Sequence, residues 1–230
     1  MLFSLIQNNN LTIYLFMRKL FTLMACAALT ASSAFADIKI GDTTYDTLKD
    51  AVAAVKDGET ILISGEVSCN AKAGDRPTAP AGVAFTIEGT DADAVVSCAQ
   101  RGTTVMLCNN DNSTVNIKNV TFDGGNRKWD DKVIFSAEKG TMNFEGVTFK
   151  NFTVEMKAAA NQTKASQNCI ISTKPTGNYT LTNVTFDNCV IADGFAVAYT
   201  NGNNKLTISG NNPGLSIYPD GVAFQANNLT

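Results

Sequence analysis

The sequence contains no histidine, and its other scarce residues further limit the chemistry that it can perform. Among 230 residues there are one tryptophan, five prolines and six cysteines. The absence of histidine excludes Ser–His and Cys–His nucleophilic sites and removes the commonest general base of enzymes. No two cysteines have the C-x-x-C spacing, which argues against a structural zinc site. The formal net charge of −3 gives no electrostatic basis for binding nucleic acid or anionic lipid.

The N-terminal segment has the order of features that defines a cleaved export signal. A basic pair at 18–19 precedes an apolar run at 20–30 and an A-x-A triplet at 34–36. We therefore expect a signal peptide over residues 1–36 and a mature chain that begins at Asp37. The mature protein would then be secreted or held at the cell surface.

Two details of this segment leave alternatives open. Met17 stands where a natural start would give a compact signal, so we interpret residues 1–16 as an over-long gene assignment; a genuine extended n-region is the alternative. The run at 23–26 resembles a lipobox, but few apolar residues precede Cys26 and the apolar character continues past it. No later stretch approaches the length that a bilayer requires, so we expect no membrane span in the mature chain.

Five cysteines follow residue 36, and an oxidising compartment would permit them to pair. Their odd number leaves at least one without a partner in the chain. Most lie in or beside apolar runs, where a thiol behaves as a small hydrophobic group. The pairing stays open among Cys69, Cys98, Cys108, Cys169 and Cys189.

Three segments align without gaps and predict the fold. They are residues 115–122, 142–149 and 179–186. In each, apolar and polar residues alternate, one Asn or Gly interrupts, and alternation resumes with Val-Thr-Phe. Period-two alternation indicates strands with one buried face. A repeat of about 30 residues is typical of a solenoid, in which neighbouring coils bury each other's apolar faces.

The interrupting residue predicts a sharp corner between two strands. Asn and Gly tolerate the left-handed backbone conformation, which turns a chain with one residue. Stacked coils would place Ile117, Phe144 and Leu181 in one buried row, and Val120, Val147 and Val184 in another. A third side of each coil is expected from the apolar runs at 105–107, 133–135, 169–171 and 195–197. The expected corners are Gly65, Gly89, Asn119, Gly146, Asn183 and Gly210.

The open end of a solenoid needs a cover, and residues 47–55 supply a candidate. Leu48, Ala51, Val52 and Val55 recur at helical spacing, and a glycine follows as a stop. We therefore predict an all-β fold: a right-handed parallel β-helix solenoid of about six coils over residues 37–230, with an N-terminal amphipathic capping helix.

The stretch at 45–61 followed by the Asn-Val-Thr-Phe coils resembles secreted, bacterial right-handed parallel β-helix proteins of the pectate-lyase-like superfamily. The resemblance covers nearly all of the expected mature chain. It implies an architecture but no activity, because this superfamily includes lyases, hydrolases and adhesins. Its polygalacturonase-like hydrolases have a histidine beside the catalytic aspartates, which this sequence lacks. Its lyases need calcium-binding carboxylates and a basic residue on one side of consecutive coils.

One loop has the density of functional groups that a site would need. Its carboxylates could bind a hard cation, its basic side chains could hold a carboxylate, and its tryptophan could stack on a sugar ring. The simpler interpretation, which we favour, is a solvated turn between coils. The candidate ligand-binding residues are Asp123, Arg127, Lys128, Trp129, Asp130 and Asp131.

The leading functional hypothesis is a non-catalytic surface β-helix that binds a polysaccharide or a cell-surface glycan, with no cofactor and no metal. The alternative is a polysaccharide lyase that uses this loop, which would require Ca²⁺. A third interpretation is a fragment of a longer secreted protein, since Gly221–Phe224 reads as the opening strand of another coil, with Thr230 following before a corner.

Overall fold

The computed structural model of the protein describes residues 36–69, 76–98, 105–108, 110–126, 128–130, 135–155, 170–173, 177–191, 198–201, 206–215, 217–220 and 224–227. The expected signal peptide lies outside these ranges except for its last residue. So does Cys169.

Short strands make up most of the described chain. One helix, α1 (Leu48–Ala54), lies among them. In chain order the strands are β1 (Asp37–Ile40), β2 (Thr43–Tyr45), β3 (Thr60–Ser64), β4 (Glu66–Ser68), β5 (Ala84–Gly89), β6 (Val95–Ser97), β7 (Met106–Cys108), β8 (Thr114–Lys118), β9 (Thr121–Asp123), β10 (Lys128–Asp130), β11 (Phe135–Ala137), β12 (Thr141–Glu145), β13 (Thr148–Lys150), β14 (Thr153–Glu155), β15 (Ile171–Thr173), β16 (Asn178–Thr182), β17 (Thr185–Asp187), β18 (Val190–Ile191), β19 (Ala198–Asn201), β20 (Leu206–Ser209), β21 (Ile217–Asp220) and β22 (Phe224–Asn227).

The strands form four sheets that run along a solenoid. The nine-stranded sheet has the order β2-β1-β3-β5-β8-β12-β16-β20-β22, and two five-stranded sheets have the orders β17-β13-β9-β6-β4 and β21-β19-β15-β11-β7. All pairs are parallel except those that β1 makes with β2 and β3. The predicted all-β parallel solenoid is therefore confirmed. Three consecutive turns, β8–β11, β12–β15 and β16–β19, are described with a strand on every side, and the number of about six coils stays a prediction.

The buried rows of the nine-stranded sheet follow the predicted register. Phe144 pairs with Ile117 on one side and with Leu181 on the other, as expected from the alternation. The row continues to Ile87 and Ile208, and all five side chains are at most 1% exposed. Neighbouring parallel strands stand about 4.8 Å apart, so each side chain is buried chiefly by the coils above and below it.

A column of phenylalanine rings fills the interior beneath the first five-stranded sheet. Phe149 stacks on Phe122 with ring centroids 5.8 Å apart, and on Phe186 at 5.2 Å. Phe135 meets this column edge-on, 4.7 Å from Phe122. Such aromatic pairs contribute about 0.5–1.5 kcal/mol beyond the area that they bury. The repeated Val-Thr-Phe therefore supplies the inner wall of successive coils.

Five of the six expected corner residues have a positive φ: Gly65 (61°), Asn119 (52°), Gly146 (62°), Asn183 (52°) and Gly210 (71°). The expected left-handed corner at Gly89 was wrong, because Gly89 ends β5 and is not among the described residues with positive φ. A Cβ atom on Gly89 would collide with the carbonyl oxygen of Asn119. Gly89 is thus required by a close approach of two coils. The turn after it is longer, and the Ala94 amide closes it on Asp91.

The third side of the coil also needs correction. The strands β7, β11, β15 and β19 begin in or just after the predicted apolar runs, so the prediction was early by one to three residues. In addition, β10, β14 and β18 form a three-stranded sheet that was not anticipated. Each of the three fully described turns therefore has four strands.

Helix α1 begins and ends close to the predicted bounds. The hydroxyl of Thr47 accepts a hydrogen bond from the Asp50 amide, which satisfies one of the free N–H groups at the helix start. Leu48, Ala51 and Val52 are buried in the common core. The β1–β2 hairpin beside the helix was not anticipated, and a capping role for the helix stays a prediction. Within the described ranges, no helix is long and apolar enough to cross a membrane.

The corner at Gly146 permits a test of the stacking. A Cβ atom there would lie 2.7 Å from Oδ1 of Asn119 on the preceding coil, whereas Gly82 has a similar positive φ and no atom within 4 Å. Gly82→Ala should cost about 1 kcal/mol through backbone strain alone. Gly146→Ala should cost about 2–3 kcal/mol, measured by urea unfolding, because the contact adds to the strain.

The variant Asn119→Gly serves as the control background. It removes the contacting side chain but keeps a residue suited to the corner. In that background, Gly146→Ala should cost no more than Gly82→Ala. Equal costs for both alanine variants in the wild-type background would contradict the contact.

Candidate functional site

The predicted binding loop is in part a strand. Lys128–Asp130 form β10, in which Trp129 pairs with Val154 of β14, so the interpretation of the whole stretch as a loop was wrong. The structure describes the backbone of 128–130 and nothing of their side chains. Arg127 and Asp131 lie outside the described residues. Their proposed contacts with a ligand stay predictions.

Asp123, the last residue of β9, has a defined structural role. Its Oδ1 accepts hydrogen bonds from the Gly125 amide at 2.8 Å and from Nδ2 of Asn151 at 3.0 Å. Nδ2 of Asn151 also lies 3.2 Å from Oδ2. The side chain is 25% exposed, and the Lys150 ammonium stands 3.9 Å from Oδ2. The carboxylate therefore holds the turn after β9 and is linked to the next coil.

A second left-handed corner lies beside Asp123. Asn126, Asn151 and Asn188 have φ values of 56°, 57° and 49°. Nδ2 of Asn188 donates to Oδ1 of Asn151 at 2.8 Å and lies 3.3 Å from Oδ1 of Asn126. The amide side chains thus form a hydrogen-bonded ladder across three coils. This corner escaped the sequence interpretation, although an Asn two residues after the repeated phenylalanine, at 151 and 188, was a signal for it.

A row of alternating charges borders this corner on the outer side of the five-stranded sheet β17-β13-β9-β6-β4. Asp123, Lys150 and Asp187 are paired in register on β9, β13 and β17. Lys150 is 45% exposed, and Asp187 is also exposed. We call Asp123, Asn126, Lys150, Asn151, Asp187 and Asn188 the corner cluster.

The corner cluster does not have the geometry of a calcium site. Asp123 and Asp187 stand two strand spacings apart, about 9.5 Å, with Lys150 between them. Calcium takes about six to eight oxygen ligands, whereas the group on the strand between these two carboxylates is the Lys150 ammonium, 3.9 Å from Oδ2 of Asp123. Across the described residues, no three Asp, Glu, Cys or His side chains group as they would around a metal ion.

The outer side of the nine-stranded sheet is a second polar surface. Thr86, Asn116, Asn143, Thr180 and Thr207 form one in-register row, which we call the nine-strand row. Nδ2 of Asn143 donates to Oδ1 of Asn116 at 2.9 Å. In the neighbouring row, Lys118 and Glu145 form an ion pair at 3.0 Å. The amides of the nine-strand row therefore bond partly to each other.

The described thiols are unsuited to nucleophilic chemistry. Cys69, Cys98, Cys108 and Cys189 are free in the structure, and the first three are buried. Burial raises the pKa of the Cys69 and Cys108 thiols to about 11 and raises that of the Cys98 thiol well above its ordinary value. A nucleophilic cysteine reacts as its thiolate, which these environments disfavour at neutral pH.

No protein-family model matches the chain, and no curated protein or solved structure shows significant similarity to it. The fold is established by the strand order and register of the protein itself. Membership of the superfamily that the sequence pattern resembles is a proposal.

The asparagine ladder makes a testable contribution to stability. Asn151→Ala removes the hydrogen bonds to Asp123 and Asn188 and strains the positive φ, so it should cost about 2–3 kcal/mol in urea unfolding. Asn151→Gly keeps the conformation and loses only the side-chain bonds, and should cost about 1 kcal/mol. Asn116→Ala, which removes an interstrand amide from a regular strand, is the matched control and should cost less than Asn151→Ala. If Asn151→Gly costs as much as Asn151→Ala, the left-handed conformation has no energetic role.

The buried Cys108 thiol should make stability depend on alkaline pH. An unfolded cysteine loses its proton near pH 8.5, whereas the folded Cys108 has a pKa of about 11. Between these values the unfolded chain binds fewer protons, so stability falls as the pH rises. From about pH 8 to about pH 10, wild type should lose about 2 kcal/mol more than Cys108→Ala. If wild type and Cys108→Ala lose the same unfolding free energy over this range, measured by urea unfolding, Cys108 has the same pKa in the folded and unfolded chain.

Proposed function

We propose that this protein is an exported β-helix that binds an uncharged polysaccharide along its outer surface and does not cleave it. The binding side is the outer face of the sheet β4-β6-β9-β13-β17, with the corner cluster at its border. The observation that carries this proposal is the in-register row Asp123–Lys150–Asp187.

The row has the form that a polymer requires. Its groups repeat about every 4.8 Å along the solenoid, so successive sugar units can meet successive side chains. Exposed carboxylate and ammonium groups make charge-assisted hydrogen bonds with hydroxyls, which are stronger than neutral ones. Trp129 is three residues beyond Asn126 in the chain, at the border of this side. We propose that its ring supplies the apolar contact that sugar rings need. Arg127, Lys128, Asp130 and Asp131 would add polar contacts to the ligand.

The charges favour an uncharged ligand. The row has two carboxylates for one ammonium, and the whole chain has a net charge of −3. A polyuronate would therefore be repelled both locally and at long range. This supports a neutral glycan over an acidic one.

The same geometry favours binding over catalysis. Asp123 already accepts bonds from Gly125 and Asn151, so it is held in a fixed structural contact. Lys150 is half-exposed, and its ammonium lies 3.9 Å from Oδ2 of the Asp123 carboxylate. Histidine is absent from the whole sequence. These facts support a surface whose role is recognition.

The location and family are part of the proposal. The basic pair, apolar run and A-x-A triplet support export and cleavage before Asp37. The corner-and-strand pattern supports membership of the pectate-lyase-like superfamily, and we propose a bacterial origin with it. Export would place the outer surface where cell-wall and host glycans are found.

A polysaccharide lyase is the second candidate, and one observation favours it. A lysine flanked by carboxylates on consecutive coils is the arrangement that this reaction requires. Under this alternative, Lys150 would abstract the proton and Asp123 or Asp187 would bind Ca²⁺, but the separation of the two carboxylates weakens it.

Binding and turnover can be measured together on one preparation. Neutral and uronic-acid polysaccharides are titrated into the protein by calorimetry, with and without Ca²⁺, while ultraviolet absorbance follows unsaturated product. We expect a neutral polymer to bind and no product to form. The double variant Lys150→Ala/Asp187→Ala should weaken binding about tenfold, because it removes two hydrogen-bonding groups from the row.

The matched control is Asn143→Ala/Thr180→Ala, which removes two polar groups from the nine-strand row. It should bind as wild type does. Calcium-dependent product from a polyuronate would replace this proposal with the lyase. Equal loss of binding in both double variants would show that the ligand does not bind specifically to the proposed side.

A further inference from the structure

We propose that Cys69 and Cys98 form a disulfide that joins two neighbouring coils at one end of the five-stranded sheet β17-β13-β9-β6-β4. The bond would link the folded chain whether or not a ligand binds. In the cell it would form in the oxidising compartment to which the proposed export leads.

The strand register brings the two cysteines together. Ser68 pairs with Ser97 at the ends of β4 and β6. The Cys69 amide then donates to the carbonyl oxygen of Ser97 at 2.8 Å, which extends the parallel ladder by one residue and sets Cys69 beside Cys98. Paired residues on neighbouring parallel strands stand about 4.8 Å apart, within the Cα separations of about 4.4–6.8 Å that disulfides span.

The side chains also have a common direction. Cys69 is 6% exposed and Cys98 is 1% exposed, so both point into the core. Their proximity also affects their ionisation: burial is the main cause of the raised pKa of Cys98, and the charge on Cys69 raises it further. Both cysteines directly follow the last residues of their strands. The Cys98 amide also donates to the carbonyl oxygen of Asp123 at 2.7 Å, so the bond would form by rotation of the two side chains while the ladder stays in place.

The other described cysteines lie elsewhere in the coils. Sγ of Cys108 donates to the carbonyl oxygens of Ser113 and Thr141 at 3.7 and 3.9 Å. Sγ of Cys189 donates to the carbonyl oxygen of Phe149 at 3.4 Å. The next coil after Cys98 offers Gly124 in the corresponding position, since Asp123 pairs with Ser97. Among the described cysteines, register therefore selects one pair.

The bond would form by thiol–disulfide exchange. One cysteine thiolate attacks the disulfide of a small oxidant such as oxidised glutathione, and a mixed disulfide forms as one glutathione thiolate leaves. The second cysteine thiolate then attacks the mixed disulfide and releases the second glutathione. The two cysteines lose two protons and two electrons, and the oxidant is reduced to two thiols. Because burial in the folded chain disfavours both thiolates, exchange should take place during folding.

The link would stabilise an edge of the solenoid. β4 is the last strand of its sheet and has one neighbour there, β6. The bond would close a loop of about 30 residues, and such closures restrict the unfolded chain. Fraying of β4 from β6 would be opposed by a covalent connection at the end of the pair.

The test uses the full chain, purified after export from a bacterial host and, separately, reduced, unfolded and refolded in glutathione redox buffer. Free thiols are blocked under denaturing conditions without reductant, and tryptic peptides are identified by mass spectrometry. Cleavage after Lys72 separates the two cysteines. We expect a Cys69–Cys98 linked pair, lighter by about 2 Da than the two reduced peptides, with Cys108 and Cys189 blocked.

Thermal unfolding supplies an independent measurement. Reduction of the linked protein should lower Tm by about 5–15 °C. The double variant Cys69→Ser/Cys98→Ser should not respond to reductant, whereas Cys108→Ser should keep the full response. Formation of the bond in the refolded sample alone would support the pair and contradict the proposed export. Blocked Cys69 and Cys98 in the refolded sample, or a bond from either to another cysteine, would overturn the proposal.

Discussion

The structure depends on backbone corners that only a few residues can form. At Asn119, Asn151, Asn183 and Asn188 the chain takes a left-handed conformation, which is costly for most L-residues. A corner made by one residue fixes where each strand ends and the next begins. That position sets the register with the neighbouring coil, and the register decides which side chains enter the core. The buried rows and the outer rows therefore follow from the same constraint.

Sequence reasoning recovered the features that repeat. The alternation around Phe144 predicted its pairing with Ile117 and Leu181, because a one-residue slip would expose the apolar face. It failed at Gly89, since a glycine required by close approach and a glycine required by positive φ look alike in a sequence. It also missed Asn151 and Asn188, because the short strands after them have too few residues to show a period.

The candidate site was less predictable than the fold. Outward side chains carry no periodic signal, since solvent tolerates many residue types. Asp123 was noticed for its charged neighbours in the chain, but its partners Asn151 and Lys150 are about 28 residues away and are brought close only by the register. Asp187 joins them for the same reason. A solenoid therefore assembles its surface across coils, and a search along one loop finds only a part of it.

The most direct test of the account is amide hydrogen exchange at the corners, measured residue by residue under native conditions. The amides of Asn119, Gly146 and Asn183 donate to Glu145, Thr182 and Ser209 on the next coil, at 3.0, 2.9 and 3.2 Å. If these corners hold the coils in register, all three amides should be protected to the same extent as the buried strands beside them. Exchange at the rate of exposed loops would show that the corners do not bond to the next coil, and would contradict the account.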